Sequence, residues 1–81
     1  MGRLMNVGYG NVVNTDKVVA VISSDSAPAR RMIQSAKDQG KAIDATQGRK
    51  TKSVIVMDDG YVVLSALVPD TIAIRFNDNT K

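Results

Sequence analysis

The 81-residue chain contains no cysteine, no histidine and no glutamate. Without cysteine, neither a disulfide nor a thiolate metal site can staple the fold. Without histidine as well, an imidazole base, a thiolate nucleophile and a zinc triad are all excluded. Every acid is an Asp, and the Asp residues fall where helix caps and turns use them. The expectation is a protein that is not an enzyme and needs no cofactor or metal. Aromatics are scarce too, with one Phe and two Tyr, so the core must be aliphatic. No apolar run approaches the ~20 residues of a membrane span, and no secretory hydrophobic region is present. Met1-Gly2 is followed by Asn6 where a myristoylation signal requires Ser or Thr. The expected location is therefore the cytoplasm, away from any membrane.

A chain of this length is one domain, residues 1–81, and near about 80 residues a single core is marginally sufficient. With staples absent, self-association is the remaining remedy. The net charge of +3 is mild but unevenly spread. Residues 1–52 hold nine Lys/Arg against four Asp, and residues 53–81 hold two against four. Such asymmetry fits either a polyanion-binding face or an ordinary solvated basic surface.

The most pointed feature is Gln47-Gly48-Arg49-Lys50-Thr51-Lys52, a glycine-marked loop with three cations in four positions that runs straight into Ser53-Val54-Ile55-Val56-Met57. A strand this close fixes where the loop's side chains start, so Arg49, Lys50 and Lys52 should project from one spot toward a polyanion. The loop is not a phosphate-cradling P-loop, because the spaced upstream glycine is absent and no helix follows.

Local signals place the remaining elements. Arg3–Val7 reads as a short strand. Gly8-Tyr9-Gly10-Asn11 reads as a turn or bulge with positive φ rather than a nucleotide loop, since a lone G-x-G without a helix is weak. Lys17–Ser23 carries five consecutive apolar residues and reads as a strand buried on both faces, with Lys17 a snorkelling residue at its entrance. Ser24–Pro28 is a helix start, and Ala29, Met32, Ile33 and Ala36 form its apolar stripe up to Gly40. Arg30 and Arg31 lie outside the stripe, as secondary phosphate contacts or as plain outer-face charge. Lys41–Asp44 is a short strand, and Asp44-Ala45-Thr46 can form an Asx turn. Asp58-Asp59-Gly60 supplies hairpin chemistry before Tyr61–Leu67, which accounts for the acid pair without a metal. Pro69–Phe76 is a short helix with Ile72, Ala73 and Phe76 inward. Asn77–Lys81 is a polar end expected to fray. The order is β-β-α-β-β-β-α in a small α+β domain. Two helices cannot cover both faces of such a sheet, so some apolar face or strand edge is left over, and a second copy is the expected cover. Burying four or five more aliphatic side chains at ~1.5–3 kcal/mol each would match the stability of a small domain.

Several collinear blocks carry a resemblance. These are Asn6–Asn11, Ser26-Ala27-Pro28 with Arg30–Gln34, Ile43–Thr46, Gly48–Thr51 and Val54–Asp58, and together they resemble the RemA-like family of bacterial extracellular-matrix regulators. The resemblance runs from about Leu4 to Arg75. It implies a transcriptional regulator of matrix (biofilm) genes and some osmoprotection genes that binds double-stranded DNA. It also implies assembly into a ring-shaped homo-oligomer with basic residues repeated around one side, and a nucleoid-associated location. By position it assigns DNA contacts to Lys17, Arg49 and Lys50, with Pro28 matching a motif proline that sets the helix start. Family members often carry Arg at the first and third of these positions. Lysine is a point charge without the planar fork of Arg, so backbone binding is expected more than base readout.

Two other classes fit the same residues. An oligomeric protein-interaction scaffold would keep the ring without direct DNA binding, and its contacts would survive high salt. A single-strand binder would interleave aromatics with cations, and neither Tyr9 nor Tyr61 lies in the basic loop. No small-molecule ligand is inferred.

Overall fold

The computed structural model describes residues 3–79. Seven of its elements follow the order expected above: strands β1 (Leu4–Gly8) and β3 (Val18–Ser23), helix α1 (Ala27–Asp38), strands β4 (Ala42–Asp44), β5 (Ser53–Met57) and β6 (Val62–Ser65), and helix α2 (Pro69–Asn79). The addition is strand β2 (Asn11–Asn14), followed by a 3-10 turn at Thr15–Lys17. β1 and β2 form an antiparallel hairpin of their own. The other four strands make a mixed sheet in the order β3-β5-β6-β4, with β4 parallel to β6.

Alternation along the central strands divides the core in two. Val54, Val62 and Leu64 face α1, where Ala36 and Ile33 meet them. The opposite face presents Ile55 and Val63 to Met5, Val7 and Val13 of the hairpin and to Ile72 of α2. The molecule is thus three layers: α1, the four-stranded sheet, then a layer built of α2 and the β1–β2 hairpin. Of the expected leftover, an apolar face or a strand edge, the face is covered and the edges of β3 and β4 are what remain. The first strand is not part of the main sheet; it folds with β2 into a lid for the sheet's second face.

Two serines join these layers. Ser53 and Ser65 are directly paired across β5 and β6, and both are fully buried. Ser65 Oγ donates to Val7 O at 2.8 Å and accepts from Leu67 N at 3.1 Å, while Ser53 Oγ donates to Leu67 O. Every hydroxyl placed in this apolar layer therefore has a partner, which removes the desolvation cost of burying it.

The helix signals are realised. Ser26 Oγ accepts from Ala29 N at 3.2 Å, and Pro28 sits in the first turn, where its missing N–H costs nothing. At the other end Gly40 takes φ +72°. Gly40 N donates to Lys37 O and Lys41 N to Ala36 O, a Schellman closure. Met32 lies at the exposed margin of the stripe rather than under it.

Two other expectations are corrected. Val18–Ile22 is not buried on both faces; β3 is an edge strand, and its register slips between Val18 and Ala20. Val19 is the extra residue of that bulge and is 64% exposed. In α2, Ile72 is buried and Phe76 packs against the core, but Ala73 is exposed. The helix runs through Asn79. Thr80 and Lys81 lie outside the described residues.

Apolar surface remains on two flanks. On one, β3 and α2 form a groove of about 230 Å³ lined by Val18, Val19, Val21, Ala73 and Phe76. On the other, Val12 of β2 and Ile43 of β4, 51% and 50% exposed, border a second groove with Met57 and Tyr61. Neither sheet edge is paired among the described residues.

Candidate nucleic-acid interface

The basic loop is tied down at both ends. Ala45 and Thr46 are buried, and Ala45 N donates to Leu64 O at 2.9 Å. Asp44 Oδ1 accepts from Thr46 N at 2.8 Å and from the Thr46 hydroxyl, which is the Asx turn read from the sequence. Arg49 N then closes a turn onto Thr46 O at 3.0 Å, with Gln47 and Gly48 both at positive φ. At the far end Lys52 N donates to Ser65 O and Lys52 O accepts from Ser24 N, while Ser24 Oγ donates to Thr51 O. The chain between these anchors has little freedom, so its cations start from fixed positions.

The Thr46 hydroxyl and Thr46 N–H, with Lys37 nearby, hold the Asp44 carboxyl below its ordinary range, while burial opposes them weakly. A depressed folded-state pKa contributes stability that is present above the unfolded value and lost as pH falls through the folded one. Asp44→Ala should therefore be less stable than the wild type from neutrality down to about pH 4. The difference should shrink below that pH, in urea titrations collected across the range. A gap that persists unchanged in strong acid would show that the carboxylate charge is not what latches the loop.

Arg49, Lys50 and Lys52 converge on one open groove of about 490 Å³, and Tyr9 and Ala66 complete its lining. Among the described residues no carboxylate pairs with any of these three cations. Lys50 and Lys52 also border a neighbouring groove beside Ser23, Asp25 and Pro69. The site is a solvent-facing cationic recess, suited to an anion that arrives from outside.

Tyr9 is the residue that sequence reasoning missed. Its ring lies 5.3 Å from the Arg49 guanidinium carbon, in the geometry of a cation–π contact. Along the chain it is forty positions from Arg49, so the absence of an aromatic from the basic loop holds in sequence and fails in space. The available signal was an aromatic flanked by Gly8 and Gly10, a turn that exposes its ring.

The other candidates lie elsewhere. Lys17 precedes β3, whose antiparallel partner β5 lies between Lys52 and Asp58. The six residue steps from Lys52 to Asp58 put these positions about 20 Å apart. Lys17 Nζ is 3.7 Å from Asp58 Oδ2, with both side chains about half exposed. Arg30 and Arg31 are exposed on α1; Arg31 borders a groove near Gly60, at the turn end of the β5–β6 hairpin, and neither lines the Arg49 groove. The Asp58–Asp59 pair is used locally: Asp58 N donates to Lys17 O, and Asp59 Oδ1 accepts from Tyr61 N.

Fold and recess together define a class: a small α+β domain with a strand-anchored cationic loop at one end of its sheet and uncovered apolar flanks. The chain belongs to the RemA-like family, described as extracellular matrix regulatory protein A-like, whose model matches residues 4–76. A protein of Lachnoclostridium phytofermentans is 56% identical over 77 residues, covering 95% of this chain and 85% of that protein. Proteins of Bacillus cytotoxicus and Bacillus mycoides are each 51% identical over 76 residues, covering 94% of this chain and 87% of theirs. All three are provisionally named as regulatory proteins rather than as enzymes. No helix among the described residues is long and apolar enough to cross a membrane.

Proposed function

We propose that this chain is a cytoplasmic, nucleoid-associated transcriptional regulator of extracellular-matrix genes, which grips the backbone of double-stranded DNA as a ring-shaped homo-oligomer. The observation that carries this reading is the recess of Arg49, Lys50 and Lys52, three cations without paired acids on a loop fixed at both ends. Phosphate contacts dominate affinity for DNA and depend on salt, because each neutralised phosphate releases counterions. One protomer offering three or four such contacts binds weakly. Several protomers joined rigidly present about a dozen or more, and their combined grip exceeds any single one.

The apolar flanks support the ring. A closed ring needs a heterologous interface, formed by two different surfaces of each copy. Here the β3–α2 flank and the β2–β4 flank are different surfaces at opposite edges of the sheet. Lys17, about 20 Å along β5 from the basic loop, is a second foothold about six base-pair steps away if DNA runs that way. Its exposed ion pair with Asp58 is of a kind worth little, so a phosphate can replace that carboxylate.

Sizing the protein alone and with a duplex, at about 50 mM and about 200 mM salt, tests the reading. The expected result is an oligomer at both concentrations, with duplex affinity falling by about 10³-fold or more between them. An oligomer that ignores duplex at low salt points instead to a protein-interaction scaffold. A monomer that ignores duplex removes both readings. One ring per protomer, already engaged by Arg49, is no row of stacking platforms, so an equal-length single strand should bind more weakly than duplex.

A further inference from the structure

We propose that Tyr9 is the positioning residue of the cationic recess, holding the Arg49 guanidinium over its ring so that the arginine meets a phosphate already oriented. This rests on the DNA-backbone reading above and adds a residue outside the basic loop to it.

The turn that carries Tyr9 is unusual for a residue with a large side chain. Gly8, Tyr9 and Gly10 all have positive φ, at +111°, +54° and +80°. The two glycines accept this region freely, but tyrosine does not. A residue with a bulky ring persists there only when its surroundings fix it. Asn11 supplies part of that fixing. Its side-chain amide donates to Gly8 O at 3.0 Å and reaches Tyr9 O and Ala45 O at 3.5 Å each. Ala45 is where the chain leaves β4 for the basic loop. One amide therefore spans the Tyr9 turn and the base of the Arg49 loop and links the two.

Tyr9 is 47% exposed, so core packing does not account for its placement. It lines the same recess as Arg49, Lys50 and Lys52. A free arginine side chain samples many rotamers and loses that freedom on binding. A cation–π contact to the ring restricts the stem while leaving guanidinium N–H groups free to meet a phosphate. The gain is repeated in every protomer that touches DNA, so a small local effect is multiplied across the assembly.

The test uses the full chain and two substitutions. Asn tolerates positive φ, so Tyr9→Asn removes the ring while keeping the turn. Tyr9→Phe keeps the ring and removes only the hydroxyl. Duplex affinity should fall about tenfold in Tyr9→Asn and stay within about twofold in Tyr9→Phe, with the oligomer unchanged. In an Arg49→Ala background, Tyr9→Asn should cause no further loss. In the protein without DNA, the Arg49 side-chain protons should be shifted upfield in NMR spectra by the ring current, lost in Tyr9→Asn and kept in Tyr9→Phe. Wild-type affinity in Tyr9→Asn overturns the inference. So does an equal loss in the Arg49→Ala background, which would make Tyr9 an independent contact. Unshifted Arg49 protons overturn it as well. An intact ring-current signature in a protein that ignores duplex refutes the DNA reading separately, and leaves the Tyr9–Arg49 stack standing as geometry without that use.

Discussion

Arg49→Ala should lower duplex affinity by about 10²–10³-fold at about 0.15 M salt, without changing the size of the assembly. The magnitude follows from repetition. One charge-assisted contact to a phosphate in partly exposed surroundings contributes about 1 kcal/mol, and three or so engaged protomers each lose theirs. Each lost phosphate contact should also reduce the logarithmic salt slope by about 0.9, so the variant's affinity depends less steeply on salt. Arg49→Lys should fall between, since it keeps the charge but loses the fork and the stack on Tyr9. Arg49 is exposed, and the loop's shape is set by Thr46, Ser65 and Ser24 rather than by its side chain. Folding should therefore be insensitive to the change. Gel-shift or anisotropy titrations across a salt series, with sedimentation of the same samples, give the answer. If the oligomer collapses on substitution, Arg49 is structural and the recess has been misread.

Val19→Lys should break the assembly into folded monomers. Val19 is the bulge residue of an edge strand and faces solvent in the isolated chain, so the substitution should alter monomer stability by no more than about 0.5 kcal/mol. If the β3–α2 flank is where a neighbour sits, each interface would bury an unpaired ammonium at a cost of several kcal/mol. Duplex binding should then fall to the single-protomer level although the variant carries one more positive charge. That sign makes the result hard to explain by charge alone. Ile43→Lys, on the opposite flank, should do the same. Mixing the two variants is more telling. In a head-to-tail ring each retains one sound surface, so a mixture should form a 1:1 heterodimer that neither forms alone. Sedimentation showing rings of normal size in Val19→Lys would mean that β3 is not an interface.

The mixed outcome of the sequence reading has a physical pattern. Features governed by near neighbours were legible. Ser26 and Pro28 start α1 and Gly40 ends it, Asp44 closes its turn onto Thr46, and Asp59-Gly60 turns β5 into β6. Features decided by partners far along the chain were not. The run Val18–Ile22 has the composition of a strand buried on both faces, yet it lies at an edge. Only the pairing order reveals that β5 pairs with one edge of it and no strand among the described residues pairs with the other. Helical spacing alone predicts Ala73 inward, but the stripe is only as wide as the surface it meets, and Ala73 faces an open groove beside the start of β3.

The sequence by itself determined the chemistry on offer: an aliphatic core, no imidazole or thiol, and Arg49, Lys50 and Lys52 gathered in one loop at the mouth of a strand. It also determined the turns and caps, because those depend on hydrogen bonds spanning only a few residues. Only the tertiary structure decided that Asn11–Asn14 pairs with Leu4–Gly8 as a separate lid. The same layer brings Tyr9 onto Arg49, and the antiparallel register of β3 on β5 carries Lys17 to the far end of the sheet. Alternating apolar residues specify that a strand has an inner face. They do not specify which neighbour that face will meet, and that choice is made by the packing of the whole chain at once.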